Sequence, residues 1–226
     1  MKTIIKQFAL FFVFICSINL AAYSQSVTPT TTDVKLICNS GTLDLGTPPA
    51  STTWEVAYSS TPTATPSVGV TLAGNTIAGT ELRTGYYYIM TKGTAAGSCI
   101  SEATQVPVFL LSPLTVDFTG YELCAENVSG TTPLTGTVAS TDTNNTFSYA
   151  YQWYTVSGGV ESPISGATDL IYTPTLTASS TTTYRLKAGY LFGTGKYCSS
   201  TADHSINILA APGAPSITIS SSAESW

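Results

Sequence analysis

An all-β chain built from two similar units is the architecture this sequence predicts, and three observations carry it. Trp54 precedes Cys99 by 45 positions and Trp153 precedes Cys198 by 45, so the two halves share one spacing. Short runs that alternate apolar and polar residues, bounded by Gly, Pro, Ser and Asn, recur along both halves. Such runs mark half-buried strands and, at these intervals, a sandwich or barrel. Beyond the first residues no apolar stripe of 3.6-residue period marks a helix.

The chain opens on MKTIIKQFALFFVFICSINLAAYSQS, where Lys2 and Lys6 precede an apolar run from Phe8 to Leu20 and small residues stand at Ala22 and Ser24. A charged start, a short apolar middle and small residues at −3 and −1 are what an export protease reads, so residues 1–24 are expected to leave as a signal peptide. The apolar run is shorter than the roughly 20 residues a membrane-crossing helix needs. Phe14 and Ile15, rather than small residues, precede Cys16, which argues against lipidation of that cysteine.

The whole chain carries 8 Lys and Arg against 13 Asp and Glu, a net charge of −5, and removal of Lys2 and Lys6 takes it to −7. No basic patch is present to neutralise phosphates, so nucleic acid is not an expected partner. No later apolar run reaches membrane-spanning length, and no span is expected in the mature chain.

After each second cysteine comes a strand-like run closing on proline, SEATQVPVFLLSP and STADHSINILAAP. Boundaries near Pro113 and Pro212 follow, with one unit at 25–112 and another at 113–211. Pro113 is followed by LTVDFTGYELC and Pro215 by SITISSSAESW, so residues 212–226 read as a linker and the start of a third repeat. The proline-rich joints are stiff, since proline fixes its own φ and biases its predecessor toward extended geometry. TPPASTT and SSTPTATPSVG read as loops, because proline cannot sit in a central ladder. Cys38, Cys99, Cys124 and Cys198 remain in the mature chain, and an even count in an oxidising compartment reads as disulfides with three pairings open.

Each half runs Cys, Trp, a Tyr-bearing strand, Cys, and the second adds Tyr151–Gln152–Trp153, Ile164 to Thr168 (ISGAT), Tyr172–Thr173–Pro174 and Thr182–Thr183–Tyr184. This pattern resembles the immunoglobulin-like (Ig-like) modules repeated in large bacterial surface proteins and adhesins. The first half departs from it: Trp54 follows Cys38 by 16 residues where Trp153 follows Cys124 by 29, and TIAGT stands in for the ISGAT turn.

The resemblance implies tandem Ig-like β-sandwiches, each with one intradomain disulfide, Cys38 to Cys99 and Cys124 to Cys198, on which the core tryptophans Trp54 and Trp153 would pack. Bonds closing loops of that length would each contribute about 4 kcal/mol in the chain-entropy picture. It also implies an exported, non-enzymatic spacer or adhesive part of a cell-surface protein, partnered by further repeats and by an extracellular protein or glycan. A carbohydrate-binding module is the alternative.

Period 2 sorts the aromatic stretch SYAYQWYTVSGG. Phe147, Tyr149, Tyr151 and Trp153 share the face expected inward; Ser148, Ala150, Gln152 and Tyr154 share the other, which leaves Gln152 and Tyr154 as the candidate ligand contacts.

Candidate chemistry is sparse. His204 lies between Asp203 and Ser205, but strand neighbours point to opposite faces, so the three do not converge as a triad must. Asp117, Glu122, Glu126 and Asp142 would serve glycoside hydrolysis only if two faced one cleft. Asp142 alone in TDTNN is too little for calcium, and the cysteines lack the close pairs of a zinc site. FGTG, at Phe192 to Gly195, has no following lysine or helix and reads as a hairpin turn rather than a phosphate loop. Asn127 and Asn144 fit the N-glycosylation pattern. No catalytic residue, metal or cofactor is expected.

Overall fold

The computed structural model describes residues 25–125, 132–142, 146–176 and 180–216. The expected leader, Glu126, the Asn127 and Asn144 sites and the tail beyond residue 216 lie outside the described residues. The chain divides into two compact units, the first ending at Pro113 and the second starting at Leu114.

In the first unit, β1 (Lys35–Cys38), β7 (Thr104–Leu111), β6 (Gly85–Gly93), β3 (Thr52–Ser59) and β4 (Val68–Gly69) form one sheet in that spatial order. Two short strands, β2 (Leu43–Asp44) and β5 (Thr76–Ile77), pair separately. The second unit repeats the plan with β8 (Leu114–Phe118), β9 (Glu122–Cys124), β10 (Leu134–Ser140), β11 (Tyr149–Ser157), β12 (Val160–Pro163), β13 (Ile171–Tyr172), β14 (Thr181–Phe192) and β15 (Gly195–Leu209). Its five-stranded sheet runs β12-β11-β14-β15-β9 and its three-stranded sheet β13-β10-β8. Both units are Ig-like β-sandwiches: antiparallel sheets in which one short early strand, β1 or β9, pairs parallel to the last strand, β7 or β15.

The strand pattern follows from what covers each face. β8 alternates buried Leu114, Val116 and Phe118 with exposed Thr115 and Asp117, as a strand covered on one side must. Central strand β6 instead buries three consecutive tyrosines, because both of its faces are covered. Tyr87 joins the inter-sheet core with Val56, Ile77, Leu82 and Val108. The Tyr86 hydroxyl donates to the Gln25 carbonyl at 3.3 Å, and the Tyr88 hydroxyl accepts the Thr63 N–H at 2.7 Å, so these two tie down the N-terminal segment and the loop after β3. Two further devices are local. Gly193, at φ +58, takes the first position of the two-residue turn between β14 and β15, where an L side chain would be strained. Pro163 lies on β12, an edge strand, where its missing N–H breaks no ladder.

The Tyr87 hydroxyl accepts the Arg83 N–H at 2.8 Å and donates to the Arg83 carbonyl at 3.3 Å, the tyrosine corner of Ig-like folds. In antibody domains a bonded cysteine follows that tyrosine by two residues; here Ile89 stands there, and Leu186 follows Tyr184 in the second unit. Leu186 is fully buried beside Trp153, its cross-strand partner. Across the sandwich lies Gly136 of β10, where an added Cβ would overlap Leu186 Cδ2 and come within 2.9 Å of Leu170 Cδ1. A leucine seated in a glycine hollow thus fills the inter-sheet space that a disulfide fills in antibody domains.

The expected pairing of the cysteines is therefore corrected. Cys38 and Cys198 are disulfide-bonded, whereas Cys99 and Cys124 are free, exposed thiols. Strand register supplies the reason. Cys38 pairs with Leu111 at the far end of β7, while Cys99 precedes that strand, so the β7 stretch from Thr104 to Leu111 alone separates them by about 23 Å at ~3.3 Å per residue. Cys124 pairs with Leu209, eleven residues along β15 from Cys198, or roughly 36 Å. A disulfide requires Cα atoms about 4.4–6.8 Å apart. Neither Cys38–Cys99 nor Cys124–Cys198 can close. Trp54 also departs from expectation: it is half-buried, with its indole N–H donated to the Gly46 carbonyl at 2.9 Å, because Val56, two residues on, takes the core position.

Two outcomes follow. Gly136→Ala should lower stability by about 1–3 kcal/mol through overpacking and Leu186→Ala by about 2–5 kcal/mol, with the double variant less destabilised than the sum because the new methyl occupies part of the vacated volume; a denaturation double-mutant cycle reads this. A non-reducing peptide map should contain neither a Cys38–Cys99 nor a Cys124–Cys198 peptide.

Candidate functional surface

The second unit presents two polar constellations. On the outward face of β11, β14 and β15, Arg185 grips Asp203 with two hydrogen bonds, Nε to Oδ1 and Nη2 to Oδ2, both 2.6 Å, and reaches Glu161 Oε2 through Nη1 at 3.0 Å. Antiparallel pairing creates the contact, since Arg185 lies directly opposite Asp203 and also beside Tyr154. Lys187 Nζ stands 4.0 Å from Glu161 Oε1 and 6.0 Å from the Tyr154 ring centre, within cation–π range. The guanidinium holds the Asp203 carboxyl below the usual carboxylate range, and the two carboxylates hold Arg185 charged. Two cations and two anions satisfy one another and leave no net charge to recruit a ligand.

Gln152 and Tyr154, the candidate contacts, belong to this region. The Gln152 side-chain amide donates to the Trp153 carbonyl at 2.9 Å and the Ile164 carbonyl at 2.8 Å, so it fastens the turn after β12 to β11. Tyr154 is half-buried. Trp153 is fully buried, donates its indole N–H to the Asp169 carbonyl at 2.9 Å, and packs edge-on against Phe118 at 4.8 Å and tilted against Tyr172 at 5.8 Å.

The second constellation joins residues far apart in sequence. His204 Nε2–H donates to Asp117 Oδ1 at 2.8 Å, and its ring stands edge-on to Phe118 at 4.8 Å. Gly120 makes the approach possible, for a Cβ there would meet the Ser205 carbonyl oxygen at 2.6 Å. Asp117, Phe118, Tyr121, Glu122, His204 and Asn207 line a shallow cleft of about 370 Å3. Hydrogen bonds from His204 and from the Phe118 N–H hold the Asp117 carboxyl below its usual range. Glu122 accepts from Asn207 Nδ2 at 3.1 Å.

Two of the sequence-selected carboxylates, Asp117 and Glu122, do share this cleft, but glycoside hydrolysis needs one carboxyl kept protonated by a raised pKa, and Asp117 shifts the other way. Asp203, His204 and Ser205 bond respectively to Arg185, Asp117 and the Thr183 hydroxyl at 3.0 Å, three separate partners. Among the described residues no three His, Cys, Asp or Glu gather to hold a metal. Sequence reasoning missed the His204–Asp117 pair because 87 positions separate them.

No family model matches the chain, and no curated protein is similar to it. Among solved structures it is similar to three N-terminal domains of the bacteriophage RB49 highly immunogenic outer capsid protein, at 17% identity and a TM-score of 0.31, over 71% of this chain and 49% of that one. It thus spans about half of that phage chain. It is also similar to fibronectin(III)-like modules of Clostridium thermocellum CbhA, at 13% identity and 0.36, over 82% and 95%. An amphioxus IgVJ-C2 molecule is similar at 16% identity and 0.29, over 77% and 99%.

Because both depressed carboxyls favour the ionised, folded form, the stability they contribute is complete above the ordinary carboxylate range near pH ~4 and is lost as pH falls through their lowered values. Thermal midpoints measured from pH 6 to pH 2 should therefore fall on the acid side, and Asp117→Asn with Asp203→Asn should flatten that fall; an unchanged acid limb would sever the link to these two groups.

Proposed function

We propose that this chain is an exported, non-enzymatic pair of Ig-like modules serving as the spacer or adhesive part of a bacterial cell-surface protein. The observation that carries this reading is the parallel pairing inside each unit. β1 enters alongside the departing β7, and β9 alongside the departing β15, so the polypeptide enters each sandwich at one pole and leaves at the other. A module traversed once from end to end adds length wherever it is inserted, which is what a spacer must do. Disulfide-bonded Cys38 and Cys198 suit an oxidising, extracellular compartment, in agreement with the leader read from the sequence. The satisfied charge network on the outward sheet and the bonded Asp117–His204 pair support a structural role over a catalytic one.

A sugar-binding module would display several coplanar aromatic rings on one sheet. Among the described residues the exposed large hydrophobic side chains are Val68, Ile100, Val160, Ile171, Tyr197 and Leu209, of which only Tyr197, at 37% exposure, carries a ring. The purified protein should retain no polysaccharide in a pull-down or glycan array. Retention that disappears on changing Tyr154 and Tyr197 to Ala would replace the spacer reading by the carbohydrate-binding one.

A further inference from the structure

The two units differ in one strand. In the second, β8 pairs antiparallel with β10, from Leu114 opposite Ser140 to Phe118 opposite Gly136, and lies over β14 and β15. It buries Leu114, Val116 and Phe118 and so closes one side of the sandwich. The first unit has no such strand among its described residues: β2, the counterpart of β10, pairs with β5 alone. The segment before β1 does not take the place, because Gln25 is held by the hydroxyl of Tyr86, on the face of β6 opposite Tyr87 and the core.

A groove of about 390 Å3 stands where the strand would lie. Leu43 and Leu45 from β2 and the loop after it, Ile89 of β6, Val106 of β7, Lys35 of β1 and Trp54 of β3 line it, and no residue of β5 does, so it opens on the free side of β2. Its apolar lining is only partly covered. Ile89 is partly buried where Leu186, likewise two residues past the equivalent tyrosine, is fully buried. Leu43, paired with Ile77, is partly buried where Leu134, paired with Tyr172, is fully buried. The backbone is ready as well. Leu45 N–H donates to the Asn75 carbonyl, so by the alternation of an antiparallel ladder Asp44 turns its N–H and C=O away from β5. An extended segment laid there gains main-chain bonds from β2 and buries alternate side chains, which is the geometry of strand addition.

This chain also carries a segment of the kind that fills the second unit. β8 directly follows Pro113 and alternates apolar and polar residues in LTVDF. SITIS, residues 216–220, directly follows Pro215 and would place Ile217 and Ile219 on one face of a strand. No charged residue stands between Gly213 and Ala223, so nothing in this stretch opposes entry into an apolar groove. We propose that residues 216–220 of one copy add as a strand to β2 of a second copy, filling its groove with Ile217 and Ile219. Donor segment and groove are different surfaces, so the contact is heterologous, and each copy accepts one neighbour while donating to another. The proposal goes beyond the spacer reading and does not depend on it.

The test uses the full exported chain. Sedimentation velocity should show a weight-average mass that rises with concentration past that of a dimer, and a synthetic peptide of residues 213–224 should return it to monomer. The double variant Ile217→Asp, Ile219→Asp should stay monomeric at every concentration, with the thermal midpoint of the monomer unchanged because both positions lie outside the strands of the two units. A photo-cross-linking residue in place of exposed Glu102, on the groove rim, should give a dimer whose linked peptide contains residues 216–220. An unaltered chain that stays monomeric, association that survives the double substitution, or a cross-link from position 102 that reaches another segment or forms only within one chain would each overturn the proposal.

Discussion

A short parallel pairing governs most of what these units can do. Four residues of β1 run beside β7, and three of β9 beside β15, in otherwise antiparallel sheets. That pairing sets the direction in which the chain crosses each sandwich, assigns the entry and exit poles, and carries Cys38 and Cys124 to the exit pole. With the parallel register, covalent closure within a unit is out of reach and the sheets must be held by packing.

That packing is dominated by aromatic residues and by one close fit. Trp153, Phe118, Tyr172 and Tyr184 form a continuous set of ring contacts through the second core, and Leu186 seats against Gly136. Burial drives the Tyr184 hydroxyl up to about 12, so this ring stays neutral well into alkaline conditions. Tyrosine suits this role because its ring fills the core while its hydroxyl reaches a backbone partner at the rim, as Tyr58 does with the Thr84 carbonyl at 2.8 Å. Tyr58, Tyr86, Tyr87 and Tyr88 thus act both as packing and as tethers for neighbouring segments. The polar surface behaves in the same self-contained way: Arg185 satisfies two carboxylates, and His204 satisfies a third.

Much of the fold was legible in the sequence, and little of the candidate surface was. The tyrosine strands, the alternation of LTVDF, the FGTG turn and the absence of helical stripes are local features, set by side-chain period and turn chemistry within a few residues. The Arg185–Asp203 pair arises from register between paired strands and the His204–Asp117 pair from the approach of strands in different sheets, across 18 and 87 positions, and no local pattern encodes either. The outward appearance of Gln152 illustrates the same gap. Period 2 assigns its face correctly, but only the neighbouring turn at Ile164 decides that its amide is used internally.

By itself, then, the sequence determined a chain of β-strands in two similar halves, because strand formation depends on alternation, branching and turn residues that are written locally. Tertiary structure alone decided the fate of the cysteines. Equal spacing between Trp and Cys in the two halves is a statement about contour length, whereas bonding depends on distance in space. A strand extends about 3.3 Å per residue without folding back, so residues on one continuous strand and on its parallel neighbour's far end are held apart however neatly they are spaced in the chain.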